Sequence, residues 1–221
     1  MENPFRNCSL LVFDLDGTLI DTIQDIERSV NDVRRAHGLE PLFLEQVRAA
    51  VGGGVRVLLE RTLPDVADSD LDALVEELME RYRVHCVNNP HPYPGVREFL
   101  EAATPHHILA VLTNKPLEIT HLTLQAADLT RYFREVRAPE NSGVRKPNPG
   151  GLLRLLEEFQ LAPDQVILIG DSVNDFATGH AAEVYTVGIR GGYYTPGKPD
   201  PDLWVRSWRE LYELWTADTL W

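Results

Sequence analysis

Residues 9–13 form an unbroken run of apolar and small positions that ends in the acidic stretch "DLDGTLIDT". A run of that length without polar alternation predicts a strand covered on both faces. The period then changes. Ile23, Ile26, Val30 and Val33 recur at spacings of three and four and stop at Gly38, which predicts an amphipathic helix closed by a glycine. The same spacing predicts helices over 44–51 and 55–63. A further helix is marked by Leu71, Leu74, Leu78 and Tyr82, with Ser69 or Asp70 as its cap. Residues 22 to 88 therefore read as an all-helical block, and "NNPHPYPG" after it, with three prolines and a glycine, reads as a hinge.

Beyond the hinge, strand and helix patterns alternate. Helix 96–103 precedes strand 108–112, and helix 117–127 precedes a short strand at 135–137. Helix 149–159 leads to strand 166–169, and helix 175–182 to strand 185–187. An edge strand at 203–205 and a helix around 208–215 complete the chain. Such alternation predicts an α/β fold, a Rossmann-like parallel sheet flanked by helices, and the strand at 9–13 needs that sheet to be buried. The helical block is then an insertion. The expected division is a core of residues 1–20 and 91–221 with a helical cap of residues 21–90.

Composition narrows the function. The chain has 221 residues, 43% of them hydrophobic and 25% charged, as in ordinary soluble proteins with one main core and room for a second. A net charge of -13 argues against nucleic acid or an anionic membrane surface as the main partner. No apolar stretch approaches the roughly 18 residues of a membrane span, and no targeting segment is read at the N-terminus. Cys8 and Cys86 lack metal-type spacing and the seven histidines show no HExxH pattern, so a disulfide framework and a zinc site are disfavoured. A reducing cytoplasm suits this usage. Trp208, Leu211 and Trp215 share a helix face that either packs on the sheet or supports a homodimer; monomer and homodimer stay open.

In open parallel sheets ligands bind beyond the carboxyl ends of the strands. The residues at those ends are chemically related here: Asp14 and Asp16 after the first strand, Thr113-Asn114-Lys115 after the strand ending at Leu112, and Asp171 and Asp175 after the strand ending at Ile169. Lys146, beside Arg145, precedes the helix at 149. Carboxylates crowded at one rim repel unless a cation neutralises them, and oxygen-only donors favour a hard ion such as Mg2+. A carboxylate can also be the nucleophile in phosphoryl transfer. Gly52-Gly53-Gly54 lacks the ending of a nucleotide-binding loop and reads as a cap loop facing the site, where Arg56 either meets a substrate carboxylate or is an ordinary solvated arginine. Asp21 reads as the end of the first loop and a cap for the next helix. Tyr193 and Tyr194 fall in a Gly/Pro loop near the same rim.

The segments "DLDGTLIDT", "TNK", "RKPNP" and "GDSVND" resemble, in order, the four motifs of the haloacid dehalogenase superfamily. Within it, "GTLIDT", "VGGGVRVLLERTL", "YPGVREFL" and "VLTNKP" are most similar to the phosphoglycolate phosphatase group. The resemblance implies a Mg2+-dependent phosphatase acting on a small phosphomonoester through an aspartyl phosphate. Asp14 would attack, and Asp16 would protonate the leaving oxygen and then activate water. Asp14, the Asp16 carbonyl and Asp171 would ligate Mg2+, with Asp175 direct or through water. Thr113 would bind the phosphoryl group with Asn114, and Lys146 would bridge it to Asp14. The acid at position 16 disfavours dehalogenation. Alternatives within the family are a β-phosphoglucomutase-like phosphotransferase, a pyrophosphatase or a nucleotidase; outside it, a catalytically silent phosphoryl-binding module.

Overall fold

The computed structural model describes residues 4–63, 71–193 and 197–219. Ser69, Asp70 and Tyr194, singled out above, lie outside them. Among the described residues, six parallel strands form one sheet in the order β5-β4-β1-β6-β7-β8, where β1 is Leu10–Phe13, β4 Ile108–Leu112, β5 Glu135–Arg137, β6 Val166–Gly170, β7 Tyr185–Ile189 and β8 Leu203–Val205. The buried run at the N-terminus takes the centre of the sheet. Leu10 pairs with Ile108 on one side and Val166 on the other, and all four β1 side chains are buried, because both faces of the sheet are covered.

Side chains alternate across a strand, and the two faces of the sheet have separate cores. Leu11, Phe13, Val111 and Ile169 face helices α5 (Val96–Ala103) and α10 (Trp208–Thr219). Leu10, Val12, Leu112 and Leu168 face α8 (Gly150–Phe159). Helix α9 (Val173–Ala181) begins two residues before its expected start because Asp175 reaches back to Ser172, accepting its N–H at 3.0 Å. Trp208, Leu211 and Trp215 are buried in the first core, so the stripe serves packing on the sheet. No helix of the described residues is long and apolar enough to cross a membrane.

Helices α1 (Ile23–Ala36), α2 (Leu44–Ala50), α3 (Val55–Thr62) and α4 (Leu71–His85) lie between β1 and α5 in the chain and enclose a core of their own. Ile23, Ile26, Val30 and Val33 are buried there with Leu59, Leu74 and Leu78, joined by Ile119 of α6 (Leu117–Ala126). The chain enters and leaves this block through a two-stranded antiparallel ribbon, β2 (Ile20–Asp21) with β3 (His91–Pro92). The proline-rich hinge composition concealed β3. Its prolines fit because the strand is only two residues long.

His107 closes the end of the first core. Trp215 Nε1–H donates to Nε2 at 2.8 Å, so Nδ1 carries the hydrogen and donates to the Cys8 carbonyl at 3.0 Å. Burial lowers its pKa below the ordinary 6.5, outweighing the Cys8 bond, which favours the proton. The unfolded chain thus takes up the proton first as pH falls. This stabilisation is complete above about pH 6.5 and is lost below it. Denaturant titrations should show His107→Gln less stable than wild type by about 1–2 kcal/mol at about pH 8, with the gap narrowing toward about pH 5. A gap independent of pH would show that His107 is not held neutral.

Candidate active site

The register of β1 against β4 and β6 sets Phe13 beside Val111 and Ile169, so the residues after these three strands emerge together at one rim. Asp14, Asp16, Thr113, Asn114, Lys146 and Asp171 all line a cavity of about 590 Å³ between the sheet and the helical block. Asp175 is fully buried behind them. Gly17 makes the turn after Asp16 at φ +86°, and a Cβ there would fall 2.5 Å from Asp171 Oδ2, so only glycine fits between the two loops.

Lys146 is the hub. Its Nζ lies 2.8 Å from Asp14 Oδ1 and 2.5 Å from Asp175 Oδ1, with 3% of its side chain exposed. Burial works against its ammonium, but Asp14 and Asp175 outweigh it and raise its pKa. Asp175 Oδ2 is occupied by Ser172, whose hydroxyl donates at 2.6 Å. Asp171 accepts Thr18 Oγ1–H at 2.9 Å and the Tyr193 N–H at 2.6 Å.

Asp14, Asp171 and Asp175 each offer an oxygen within 4.8 Å of the others. Three buried carboxylates stand together with one ammonium, which contacts two of them, and the imbalance shows in the pKa values of Asp14 and Asp171. Burial, with repulsion from Asp175 and Asp16, raises Asp14 to about 7 despite Lys146. Burial and repulsion from Asp14 and Asp175 raise Asp171 well above the carboxylate range. An oxygen-only cluster with uncompensated negative charge fits a hard divalent cation.

Asp16 is pinned by one oxygen. Its Oδ1 accepts Thr22 Oγ1–H at 2.6 Å and the Lys115 ammonium at 2.8 Å. Lys115 also donates to the Tyr82 hydroxyl, and its Nζ stands 4.4 Å from the centre of that ring, on α4. Sequence reasoning assigned Lys115 no role; the signal was a lysine placed after a buried strand and two polar positions, Thr113 and Asn114. Thr22 and Tyr82 carried no comparable signal, being a helix cap and a core position.

Two expected site residues have other partners. The Asn114 side chain donates to the Gly52 and Lys146 carbonyls, both at 2.9 Å, and accepts the Lys146 N–H at 2.8 Å. It clamps the Lys146 backbone and ties the glycine loop of the helical block to the rim, so neither of its amide hydrogens is left for phosphate. Asn174 holds the same Gly52 carbonyl at 3.2 Å. Arg56 does not line the cavity; it pairs with exposed Asp72 at the solvent side. The helix turns Arg61, five residues on, toward the cavity instead. Asp21 accepts the Ile23 N–H at 3.2 Å, which opens α1.

Residues 11–189 match the family model described as "Haloacid dehalogenase-like hydrolase". The chain is 34% identical over 189 residues to a phosphoglycolate phosphatase of Agrobacterium fabrum, covering 83% of this chain and 81% of that protein. It is 32% identical over 196 residues to an N-acetylmuramic acid 6-phosphate phosphatase of Pseudomonas aeruginosa, covering 88% and 86%. The crystal structure of a predicted phosphoglycolate phosphatase from Haemophilus somnus superposes with a TM-score of 0.88 at 28% identity, covering 94% of this chain and 98% of that one. With the family model spanning most of its length and relatives above 30% identity across four-fifths of it, the chain belongs to the haloacid dehalogenase-like hydrolases.

Proposed function

We propose that the chain is a Mg2+-dependent phosphatase that hydrolyses a small phosphomonoester, with phosphoglycolate as the leading substrate. The observation that carries this reading is a buried carboxylate, Asp14, held by Lys146 at the floor of the cavity, with a second acid, Asp16, two residues away on the same rim. The names of the relatives support phosphoglycolate as the first substrate to test. The two cysteines are free and buried, which suits a reducing compartment, the cytoplasm.

In the proposed reaction an Asp14 oxygen attacks phosphorus while the bond to the leaving oxygen breaks, and Asp16 gives that oxygen its proton. The product is an acyl phosphate on Asp14. Water then attacks phosphorus and yields a proton to Asp16, the bond to the Asp14 oxygen breaks, and phosphate leaves with Asp14 restored. Lys146 offsets charge on the phosphoryl oxygens as well as on Asp14. Thr113 Oγ1 already accepts the Lys115 N–H at 3.1 Å, which leaves its own hydrogen to donate to a phosphoryl oxygen.

Asp14, the carbonyl of Asp16 and Asp171 would hold the ion, with Asp175 behind them. Bound there, Mg2+ supplies the positive charge that the cluster and a phosphate dianion both lack. The helical block, residues 21–90, acts in this reading as a cap that closes over the substrate and excludes bulk water, and residues 1–20 and 91–221 form the catalytic core.

Mg2+ at about a hundred times its dissociation constant should stabilise the fold by about 2.7 kcal/mol, a rise of roughly 5–10 °C in melting temperature. Asp171→Asn should abolish that rise while the metal-free melting temperature stays within about 5 °C of wild type, because relief of carboxylate repulsion offsets the loss of one of the two acceptor oxygens facing Thr18 and Tyr193. Absence of a Mg2+ shift in the wild type would sink the metal assignment.

Phosphate release should be measured on phosphoglycolate, sugar phosphates, N-acetylmuramic acid 6-phosphate, nucleotides and pyrophosphate. Asp14→Asn should cost at least about a thousandfold in kcat on every substrate used. Arg61→Ala should raise KM about tenfold, whereas Arg56→Ala, which loses an exposed ion pair, should stay within about twofold. Preference for a sugar phosphate or nucleotide would replace phosphoglycolate, and phosphate transfer to sugar without release would replace hydrolysis.

A further inference from the structure

Tyr193 comes after β7, beyond residue 189 where the family match ends, yet it contacts the loop after β6, the ribbon strand β2, the start of α1 and α2. Its backbone N–H donates to Asp171 Oδ2 at 2.6 Å. Its hydroxyl donates to Asp21 Oδ1 at 2.9 Å and accepts the Thr22 N–H at 2.7 Å. Its ring lies under the Arg48 guanidinium of α2, 5.8 Å from the centroid, within cation–π range. The preceding residue fixes the approach: a Cβ on Gly192 would stand 2.1 Å from the Gly17 carbonyl and 2.4 Å from Asp171 Oδ2. The loop is therefore wedged against both acid-bearing turns.

We propose that Tyr193 is a positioning residue that ties the hinge of the helical block to the acid Asp16 and to the carboxylate Asp171. The link to the acid runs through Thr22, whose backbone Tyr193 holds and whose Oγ1 donates to Asp16 Oδ1 at 2.6 Å. Three hydrogen bonds thus connect the loop after β7, the ribbon strand β2 and the acid after β1. Thr22 has no freedom to swing without breaking either the Tyr193 bond or the Asp16 bond. A single side chain from the loop after β7, two strands from β1, sets where the hinge stands and, through it, where the acid stands. The kinetic part of this inference rests on the phosphatase reading; the hinge contact does not.

Tyr193→Phe removes the hydroxyl but keeps the ring under Arg48 and the N–H on Asp171. Hydrogen exchange should be at least about tenfold faster at the Thr22 amide, which loses its acceptor, and unchanged in β1 and β6, which report that the core is folded. With the phosphomonoester that wild type prefers, kcat should fall about five- to tenfold and KM stay within about twofold, because the lost positioning acts on the acid and not on substrate affinity. Thr22→Val should cause a loss of similar size, and the double variant should be no slower than Thr22→Val alone, as for two residues acting in series. Wild-type exchange at Thr22, or losses in the two variants that multiply, would overturn the proposal. A wild type without phosphatase activity would sink the reaction and leave the exchange result to decide the hinge contact.

Discussion

One ammonium and three carboxylates are buried together at the end of the central strand, and the rest of the site is arranged to hold them there. Taking each ion out of water costs several kcal/mol, which attraction offsets only where the geometry is tight and the remaining hydrogen-bonding positions are filled. Lys146 meets the first condition with contacts of 2.8 and 2.5 Å to Asp14 and Asp175. The second is met from the flanks: Ser172 fills Asp175 Oδ2, Thr18 and the Tyr193 amide fill Asp171, and Asn114 fixes the Lys146 backbone from both sides. What these neutral donors cannot do is balance the charge, and the raised pKa values of Asp14 and Asp171 record the deficit. The protein carries a preorganised place for positive charge at the one point where a phosphate dianion would otherwise be repelled by a chain of net charge -13.

The helical block is fastened to the core by residues adjacent in sequence to those of the site. Asn114 and Asn174 hold the Gly52 carbonyl, and they neighbour Thr113 and Asp175. Lys115, next again, reaches Tyr82 of α4, while Thr22 begins α1 and Tyr193 contacts Arg48 of α2. A movement of the block is thus felt by the loops that carry the chemistry, with no longer path needed. The antiparallel ribbon of β2 and β3 keeps entry and exit of the block side by side, so both crossings lie at one place.

The sheet and its helices were legible because their signals are local and strong: β1 reads as continuous apolar residues, and the helices as apolar positions three and four apart. The α9 boundary shifted because one side-chain bond from Asp175 to Ser172 decides it. Acidic positions at the strand ends pointed to the site for a related reason, since charge directly after a buried strand is costly and needs a purpose. Arg56 shows where this stops. An arginine in a helix beside the cavity has as many directions as the helix has faces, and five residues separate the one that pairs with Asp72 from the one that lines the cavity. Tyr193 was legible in place, since its loop was expected near the rim and it lines the cavity, but not in role, because its partners Asp21, Thr22 and Asp171 are 22 to 172 residues away and only the strand order brings them within reach.

Asp16 shows why the long-range contacts matter for the chemistry proposed. It must give a proton in one half of the reaction and take one in the other, from reacting atoms that do not occupy the same place. A freely rotating carboxylate would serve neither step well. Both of its donors, Thr22 and Lys115, act on Oδ1, and among the described residues no donor meets Oδ2. The pinned oxygen fixes the plane of the group and leaves the second one to carry the proton. One pin comes from Thr22, where the hinge strand passes into α1, and the other from the loop after β4, so the helical block and the sheet both contribute to placing the acid. In the closing proposed for the block, an acid held from both sides would be ordered as the cavity shuts, which would keep proton transfer from running in open water without a separate gate.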